Sequence, residues 1–310
     1  MSNRPILSIC IPTYNGASSY LEKTLVNILQ ATSVLSNDVE VIVSDNASTD
    51  STHTLLEELS KTYFFRNYRN ESNVGFKGNM RLLTDEYSNG VYTWIIGDDD
   101  FVDNQSIGHI VKILHEKKPD FVALGSQMSF DGAAAIVHNQ DYQTIEGTYA
   151  EIIDKNCYDG NVMSSFISAS IFKTDDFKKF PKEFLNSSGF DEYYEVFPNA
   201  YILASVFHDK KCVLVPNKIV TAVIQKRGWA TDDNMYKIYT KILPELLEYL
   251  ISLGIKKNQM QKTADLLVLK NLILSKHRIV EKEKTVNFLQ SITKILMTPR
   301  LIKRVITKNI

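Results

Sequence analysis

The sequence predicts an α/β protein: a mixed, mostly parallel sheet with helices on both faces, Rossmann-like, plus a C-terminal helical addition. Three observations lead there. Short apolar runs alternate with stretches of helical period, the pattern of strands joined by crossover helices. The run Trp94 to Ile96 is apolar at consecutive positions and bounded by Gly97, which suits a strand covered on both faces. From about Met235 onward the pattern turns helical, with Ile238, Ile242, Leu246, Leu247 and Leu250 on one stripe and Leu266, Leu267, Leu269, Leu272 and Ile273 on another.

Taken in order, Ile6 to Ile11 is the first strand. Pro12-Thr13-Tyr14-Asn15-Gly16 turns it into a helix from about Ser19 to Leu29, with Tyr20, Leu21, Leu25, Ile28 and Leu29 as its apolar stripe. Val39 to Val43 is the second strand, Ser44 to Asp50 a polar turn, and Ser51 to Ser60 a helix that Ser48 or Asp50 can cap. A strand containing Phe64 and Phe65, a loop from Asn70 to Gly75 and a helix from about Gly78 to Tyr87 lead to the strand that ends in Asp98, Asp99 and Asp100. Asp120 to Leu124 reads as a further strand, Val162 to Phe172 as one or two more, Asn199 to Phe207 as a helix and Lys211 to Pro216 as a strand.

With 44% hydrophobic residues in 310, the chain can bury a large core. Thirty-five basic and 36 acidic residues leave a net charge of -1, which gives no polyanion-binding character and excludes a general nucleic-acid role. The N-terminal apolar run is too short for a signal peptide and is interrupted by Pro12, and no stretch approaches a membrane span, so a cytoplasmic protein is expected. Cys10, Cys157 and Cys212 are far apart among apolar neighbours, which suits reduced core thiols.

In a parallel sheet, ligands bind outside the carboxyl ends of the strands. Three polar turns, at Tyr14, Asp45 and Asp98, are predicted on that edge. Consecutive aspartates at a buried strand end repel one another and lose hydration, so a cation or a set of donors must compensate. Their hard oxygens suit Mn²⁺ or Mg²⁺ bridging to a diphosphate; a solvated acidic turn is the alternative. Tyr14 can lay its ring on a nucleobase or simply pack. Asp45 can accept the imide N–H of uracil or thymine, and its turn is also good helix-capping chemistry. The loop Asn73 to Asn79 lacks the spacing of a P-loop or a dinucleotide fingerprint.

The order of these turns carries a resemblance. Ile9-Cys10-Ile11-Pro12-Thr13-Tyr14-Asn15, Val41 to Asp50, Asn73-Val74-Gly75 with Asn79, and Gly97-Asp98-Asp99-Asp100 together resemble the nucleotide-sugar domain of family 2 glycosyltransferases, over roughly the first 105 residues. The resemblance implies a glycosyltransferase A-type fold, a nucleoside diphosphate sugar as donor, with UDP or dTDP the preferred guess, and inverting transfer to a glycan or lipid-linked acceptor by a non-processive bacterial enzyme. It implies nucleotide-sugar contacts at Pro12, Tyr14, Asn15, Asp45, Asn73, Gly75, Asn79 and Asp98, and a metal held by Asp98, Asp99 and Asp100. Residues 1–125 then form the nucleotide-sugar subdomain, 126–230 the acceptor and catalytic subdomain of the same domain, and 231–310 the helical region.

Two departures stand out. Many members read Asp-x-Asp-Asp at the strand end, whereas Gly97 falls at the first of those acids. Either Asp98 and Asp100 form the Asp-x-Asp pair, or Asp99 or Asp100 binds metal while Asp98 serves the ribose. The family's general base, often in a Glu-Asp pair near the start of the Asn199–Phe207 helix, would fall at Phe197 and Pro198, so Glu195, Asp191 and Glu192 are the nearest substitutes, with Glu195 preferred. A non-catalytic nucleotide-sugar or carbohydrate-binding protein is the other function class that this missing pair leaves open. Gln225 to Trp229 is a basic, aromatic loop from which Arg227 can close over the diphosphate, or an ordinary surface loop. Beyond Glu283 the chain has no acid, and Lys284, Lys294, Arg300, Lys303, Arg304 and Lys308 lie among apolar residues. Such a tail rests on an anionic membrane surface or packs as a helix on protein, so a peripheral place on the inner membrane face is an expectation.

Overall fold

The computed structural model describes residues 4–129, 142–156, 166–181, 193–223 and 242–255, with residue 237. Strands β1 (Leu7–Thr13), β2 (Val39–Asp45), β3 (Arg66–Arg69) and β4 (Tyr92–Ile95) are joined by helices α1 (Leu21–Thr32), α2 (Thr52–Ser60) and α3 (Gly75–Leu82), the last continuing as a π-helical turn through Tyr87. Then come β5 (Phe101–Val102), α4 (Asn104–Lys117), β6 (Phe121–Ser129), β7 (Ile145–Thr148), α5 (Tyr149–Asn156), β8 (Ser170–Lys173), α6 (Thr174–Phe177), α7 (Tyr193–Val196), α8 (Pro198–Phe207), β9 (Lys211–Val223) and α9 (Leu243–Ser252).

All nine strands form one sheet in the order β3-β2-β1-β4-β8-β6-β9-β5, with β7 also paired to β9. β1 pairs in parallel with both β2 and β4, β2 with β3, and β6 with β9; β8 enters antiparallel between β4 and β6. Strand side chains alternate between two cores. Ile9, Ile11, Val41, Val43, Trp94 and Ile96 pack with α1, α2 and α4. Cys10, Ile42, Ile95, Phe121 and Leu214 pack with α3, α5, α8 and α9. Both faces are therefore dry, as the unbroken apolar runs require. β6 runs through residue 125, so the expected first and second subdomains share this sheet.

Several boundaries differ from expectation. The third strand is Arg66–Arg69 and excludes Phe64, which is 95% exposed, and Phe65, which is buried. β3 is an edge strand, so polar residues can occupy it, and Arg66 is anchored there by Glu40 at 2.9 Å. α3 starts at Gly75 rather than Gly78, because the Asn46 and Asn73 side chains accept the Val74 and Gly75 amides. Of the expected strand at Val162 to Phe172, residues 167–169 form a 3-10 turn and only Ser170 onward is strand; 162–165 lie outside the described residues. β9 does not stop at Pro216. The β6–β9 register jumps between Leu124 and Ser126, and this bulge absorbs the proline, which cannot donate to the ladder. Burial pushes the thiols of Cys10 and Cys212 well above the ordinary range, as expected of inert core cysteines; Cys157 lies outside the described residues.

Among the described residues no helix is long and apolar enough to cross a membrane. The expected helical stripe at Leu266 to Ile273 and the basic tail after Glu283 lie outside them.

At the bulge, a β-carbon on Gly125 would stand 2.3 Å from the Asn217 carbonyl oxygen and 2.4 Å from that of Pro216. Gly125→Ala is expected to destabilise the protein by about 1–3 kcal/mol through backbone strain. Gly108, inside α4 with nothing within 4 Å, gives the control. Gly108→Ala should raise stability by about 0.5–1 kcal/mol. Urea unfolding of both variants checks this, and equal stability would contradict the close approach at the bulge.

Candidate active site

Parallel registers bring three strand ends together. Thr13, the last residue of β1, stands opposite Asp45, the last of β2, and Cys10 of β1 stands opposite Ile95, the last of β4. Pro12 is buried within β1, and Tyr14 emerges from it 46% exposed. Asn15 follows with φ +55°, a left-handed conformation that asparagine tolerates. Its side-chain oxygen accepts the Thr49 amide at 2.9 Å while its own amide donates to Ser48 Oγ at 2.9 Å, so Asn15 stitches the first turn to the second.

Asp45 is fully buried. Its Oδ1 accepts the Ser48 amide at 2.9 Å, which the chain reaches by putting Ala47 at φ +58°, a strained conformation for a residue with a β-carbon. Its Oδ2 has no hydrogen-bond partner, and the nearest cation, Arg69 Nε, is 3.7 Å away. A buried carboxylate oxygen without a hydrogen-bond donor is costly. Of the two residues expected to cap α2, Asp50 does so: its Oδ1 accepts both the Thr52 amide and its hydroxyl at the start of the helix.

The second turn is braced by asparagines. Asn46 donates to Asn73 Oδ1 at 2.8 Å and accepts from Asn70 Nδ2 at 2.9 Å and from the Val74 amide at 3.0 Å. Asn79, 2% exposed, accepts from Ser44 Oγ at 2.6 Å and from Asn70 at 3.1 Å and donates to the Ser44 carbonyl at 3.0 Å. Its amide is thus bonded within the asparagine frame. Gly75, φ +71°, is exposed and lets the loop enter α3 directly.

The acidic run is clasped at both ends. Asp98, part-buried, accepts from Thr13 Oγ1 at 2.7 Å. Asp100, 6% exposed, accepts from Ser168 Oγ at 2.5 Å, and Ser168 Oγ accepts the Gly97 amide at 2.9 Å. A β-carbon on Gly97 would lie 2.6 Å from Asp100 Oδ2 and 3.3 Å from Asp99 Oδ1. A side chain at position 97 would therefore collide with the later carboxylates, which occupy that space. Asp98 and Asp100 are thus drawn toward different hydroxyls, with Asp99 buried between them; among the described residues no three His, Cys, Asp or Glu side chains are grouped around a common point.

Glu195, part-buried in α7, is within electrostatic reach of Lys77 in the first turn of α3. Burial lowers the Lys77 ammonium below the usual lysine range, and the Glu195 charge opposes that shift. The fold therefore brings Glu195 within electrostatic reach of the first turn of α3. Asp191, Glu192 and Arg227 lie outside the described residues. Sequence reasoning missed Thr13, Asn46, Asn70, Lys77 and Ser168. Thr13, Asn46 and Lys77 lie inside the motifs it singled out, but Ser168 carries no local signal and is brought in only by the sheet.

Asn46→Ala removes the hub of the asparagine frame and leaves Asn70, Asn73 and the Val74 amide short of partners. A loss of at least about 2 kcal/mol is expected in urea unfolding, with faster hydrogen exchange at Val74 and Gly75. Asn46→Asp keeps the accepting half and should lose less; equal losses would contradict the assignment of donor and acceptor atoms.

Residues 8–187, more than half of the chain, match the model of the family described as Glycosyl transferase family 2. Abequosyltransferase RfbV of Salmonella typhimurium is 28% identical over 221 residues, 67% of this chain and 63% of that protein, so the chain spans less than two thirds of that relative. Glycosyltransferase GlyG of Streptococcus pneumoniae is 26% identical over 193 residues, 60% of each. Among solved structures, S. aureus TarS 1-349 in complex with UDP-GlcNAc superposes with a TM-score of 0.61 at 12% identity, covering 95% of this chain and 82% of that one. Mannosyltransferase PcManGT from Pyrobaculum calidifontis, in complex with GDP-Man and Mn²⁺, gives 0.55 at 15% identity over 95% and 88%. At these identities the shared property is the fold, the glycosyltransferase A-type sheet with helices on both faces. By the extent of the family match, the chain belongs to glycosyl transferase family 2.

Proposed function

We propose that the chain is an inverting glycosyltransferase that takes a nucleoside diphosphate sugar at the ends of β1, β2 and β4 and passes the sugar to a hydroxyl of a glycan or lipid-linked acceptor in surface polysaccharide synthesis. Family membership and relatives named as abequosyltransferase and as poly(ribitol-phosphate) β-N-acetylglucosaminyltransferase support the reaction class. The observation that carries the donor site is the buried Asp45 carboxylate with Oδ2 lacking a donor. The imide N–H of a uracil or thymine base would satisfy it, with the exposed Tyr14 ring available to stack. UDP- and dTDP-linked sugars are accordingly the donors we favour, and the UDP-GlcNAc complex of TarS supports the first.

The residues at the acidic turn fit a divalent cation. Mn²⁺ and Mg²⁺ take one or two protein carboxylates with water and substrate phosphates, and two aspartates oriented by hydroxyls supply such a set. Asp98 and Asp100 would hold the ion, and when bound it would offset the charge that develops on the departing diphosphate. The PcManGT complex with Mn²⁺ supports this choice.

In the transfer, the acceptor oxygen forms a bond to the anomeric carbon as the bond from that carbon to the diphosphate oxygen breaks, with inversion. Glu195 takes the acceptor hydroxyl's proton, and the electron pair of the broken bond leaves on the nucleoside diphosphate. The positive charge of Lys77 lies within electrostatic reach of this carboxylate. Asp191 and Glu192 are the reserve candidates for base, and Arg227 is assigned to close over the diphosphate. A tail resting on an anionic membrane would bring the site to lipid-linked acceptors. The second reading is a binding protein on the same scaffold, favoured by Phe197 and Pro198 at the positions of the family's acidic pair.

A thermal-shift panel of nucleoside diphosphate sugars with and without Mn²⁺ should show a selective, metal-dependent rise for one base. Asp45→Asn, which puts an amide where an acceptor-only oxygen stood, should weaken that donor about tenfold or more. Glu195→Gln should leave donor affinity unchanged and lower turnover by about 10²–10⁴. Full activity in Glu195→Gln would move the base elsewhere, and donor binding without any turnover in the native protein would favour the binding-protein reading.

A further inference from the structure

The geometry points to Ser168 as a positioning residue for sugar transfer, one that holds Asp100 in the orientation in which its carboxylate serves the donor's diphosphate and cation; this rests on the donor site proposed above. Ser168 is fully buried in the 3-10 turn Ile167–Ala169 that leads into β8. Its hydroxyl has one proton, and that proton is committed to Asp100 Oδ2 at 2.5 Å. Its oxygen also accepts the Gly97 amide at 2.9 Å, so the hydroxyl rotor is fixed from both sides. The backbone is equally constrained, because the indole of Trp94, itself fully buried, donates to the Ser168 carbonyl at 2.7 Å. A hydroxyl giving a short bond to a carboxylate is among the stronger neutral-to-ion contacts.

The arrangement is more specific than general packing. Asp100 and Ser168 are 68 residues apart, and they meet only because β8 enters the sheet beside β4. The acidic run is thus stretched between two hydroxyls: Thr13, from the end of β1, on Asp98, and Ser168, from the turn before β8, on Asp100. One of Asp100's two oxygens is bonded by Ser168, which restrains the carboxylate and biases the direction of the other. Removing the hydroxyl takes away that restraint and the acceptor of the Gly97 amide. A serine serving only the fold would act regardless of what stands at position 100. One that positions Asp100 must lose its influence once that carboxylate is gone.

This difference gives the test. Ser168→Ala, Asp100→Asn and the double variant are made in the full chain, and three quantities are read: Mn²⁺ affinity by the electron paramagnetic resonance of free ion, donor affinity by calorimetry, and kcat and KM for transfer. Ser168→Ala is expected to weaken Mn²⁺ and donor binding about five- to tenfold and to lower kcat further, while in the Asp100→Asn background the same change should move either affinity less than about twofold. Ser168→Thr, which restores the hydroxyl, should recover most of the loss. Should Ser168→Ala fail to fold, Ser168→Cys, whose thiol is a weak donor, replaces it with the same expectations. A folded Ser168→Ala protein with native metal affinity, donor affinity and kcat overturns the inference while leaving the donor site intact, as does an equal loss in both backgrounds. Absence of metal-dependent donor binding in the native protein removes the donor-site reading and this inference together.

Discussion

Parallel pairing of β1 with β2 on one side and β4 on the other is the constraint on which the site depends. Each strand is apolar on both faces, so the chain cannot turn until it has crossed the core, and the first polar residues of three separate segments emerge on one edge. Thr13 ends opposite Asp45, and the turn after β4 returns Asp98 to the Thr13 hydroxyl. A register slip of one residue would reverse which residues face each core and would separate these groups. Chemistry at the edge is therefore a consequence of burial in the middle.

The edge is not uniformly satisfied. Asn46, Asn70 and Asn79 form a closely bonded frame with Ser44, which fixes the loop before α3. Asp100 and Asp98 each have a hydroxyl donor. Asp45 Oδ2 is shielded from water and has no hydrogen-bond donor, only the Arg69 guanidinium at 3.7 Å, while the neighbouring Ala47 holds a strained backbone. Stability alone would favour removing both costs. Their coincidence at the end of a strand motivates the proposed base contact at Asp45.

Much of the fold was legible because hydrophobic runs report burial directly. β1, β2, β4 and the helices between them fall close to where apolar periodicity puts them. It failed at β3, where an edge strand made of Arg66, Asn67, Tyr68 and Arg69 needs no apolar run, and two phenylalanines nearby drew the assignment away. It also failed at β9, where a bulge lets a strand continue through Pro216. At the site, motif order located the turns but not how their side chains are shared. Asn79 reads as pocket-lining in sequence and is a buried brace in the fold. Ser168, whose contact with Asp100 depends on β8 entering beside β4, has no counterpart in local pattern.

The proposed donor site lies across the ends of β1, β2 and β4. The most direct measurement is a crystal structure of the full chain grown with a UDP- or dTDP-linked sugar and Mn²⁺. The base is expected against Asp45 and Tyr14, and the diphosphate with its ion beside Asp98 and Asp100. An ordered nucleotide bound away from that edge, or with its base turned from Asp45, would contradict it.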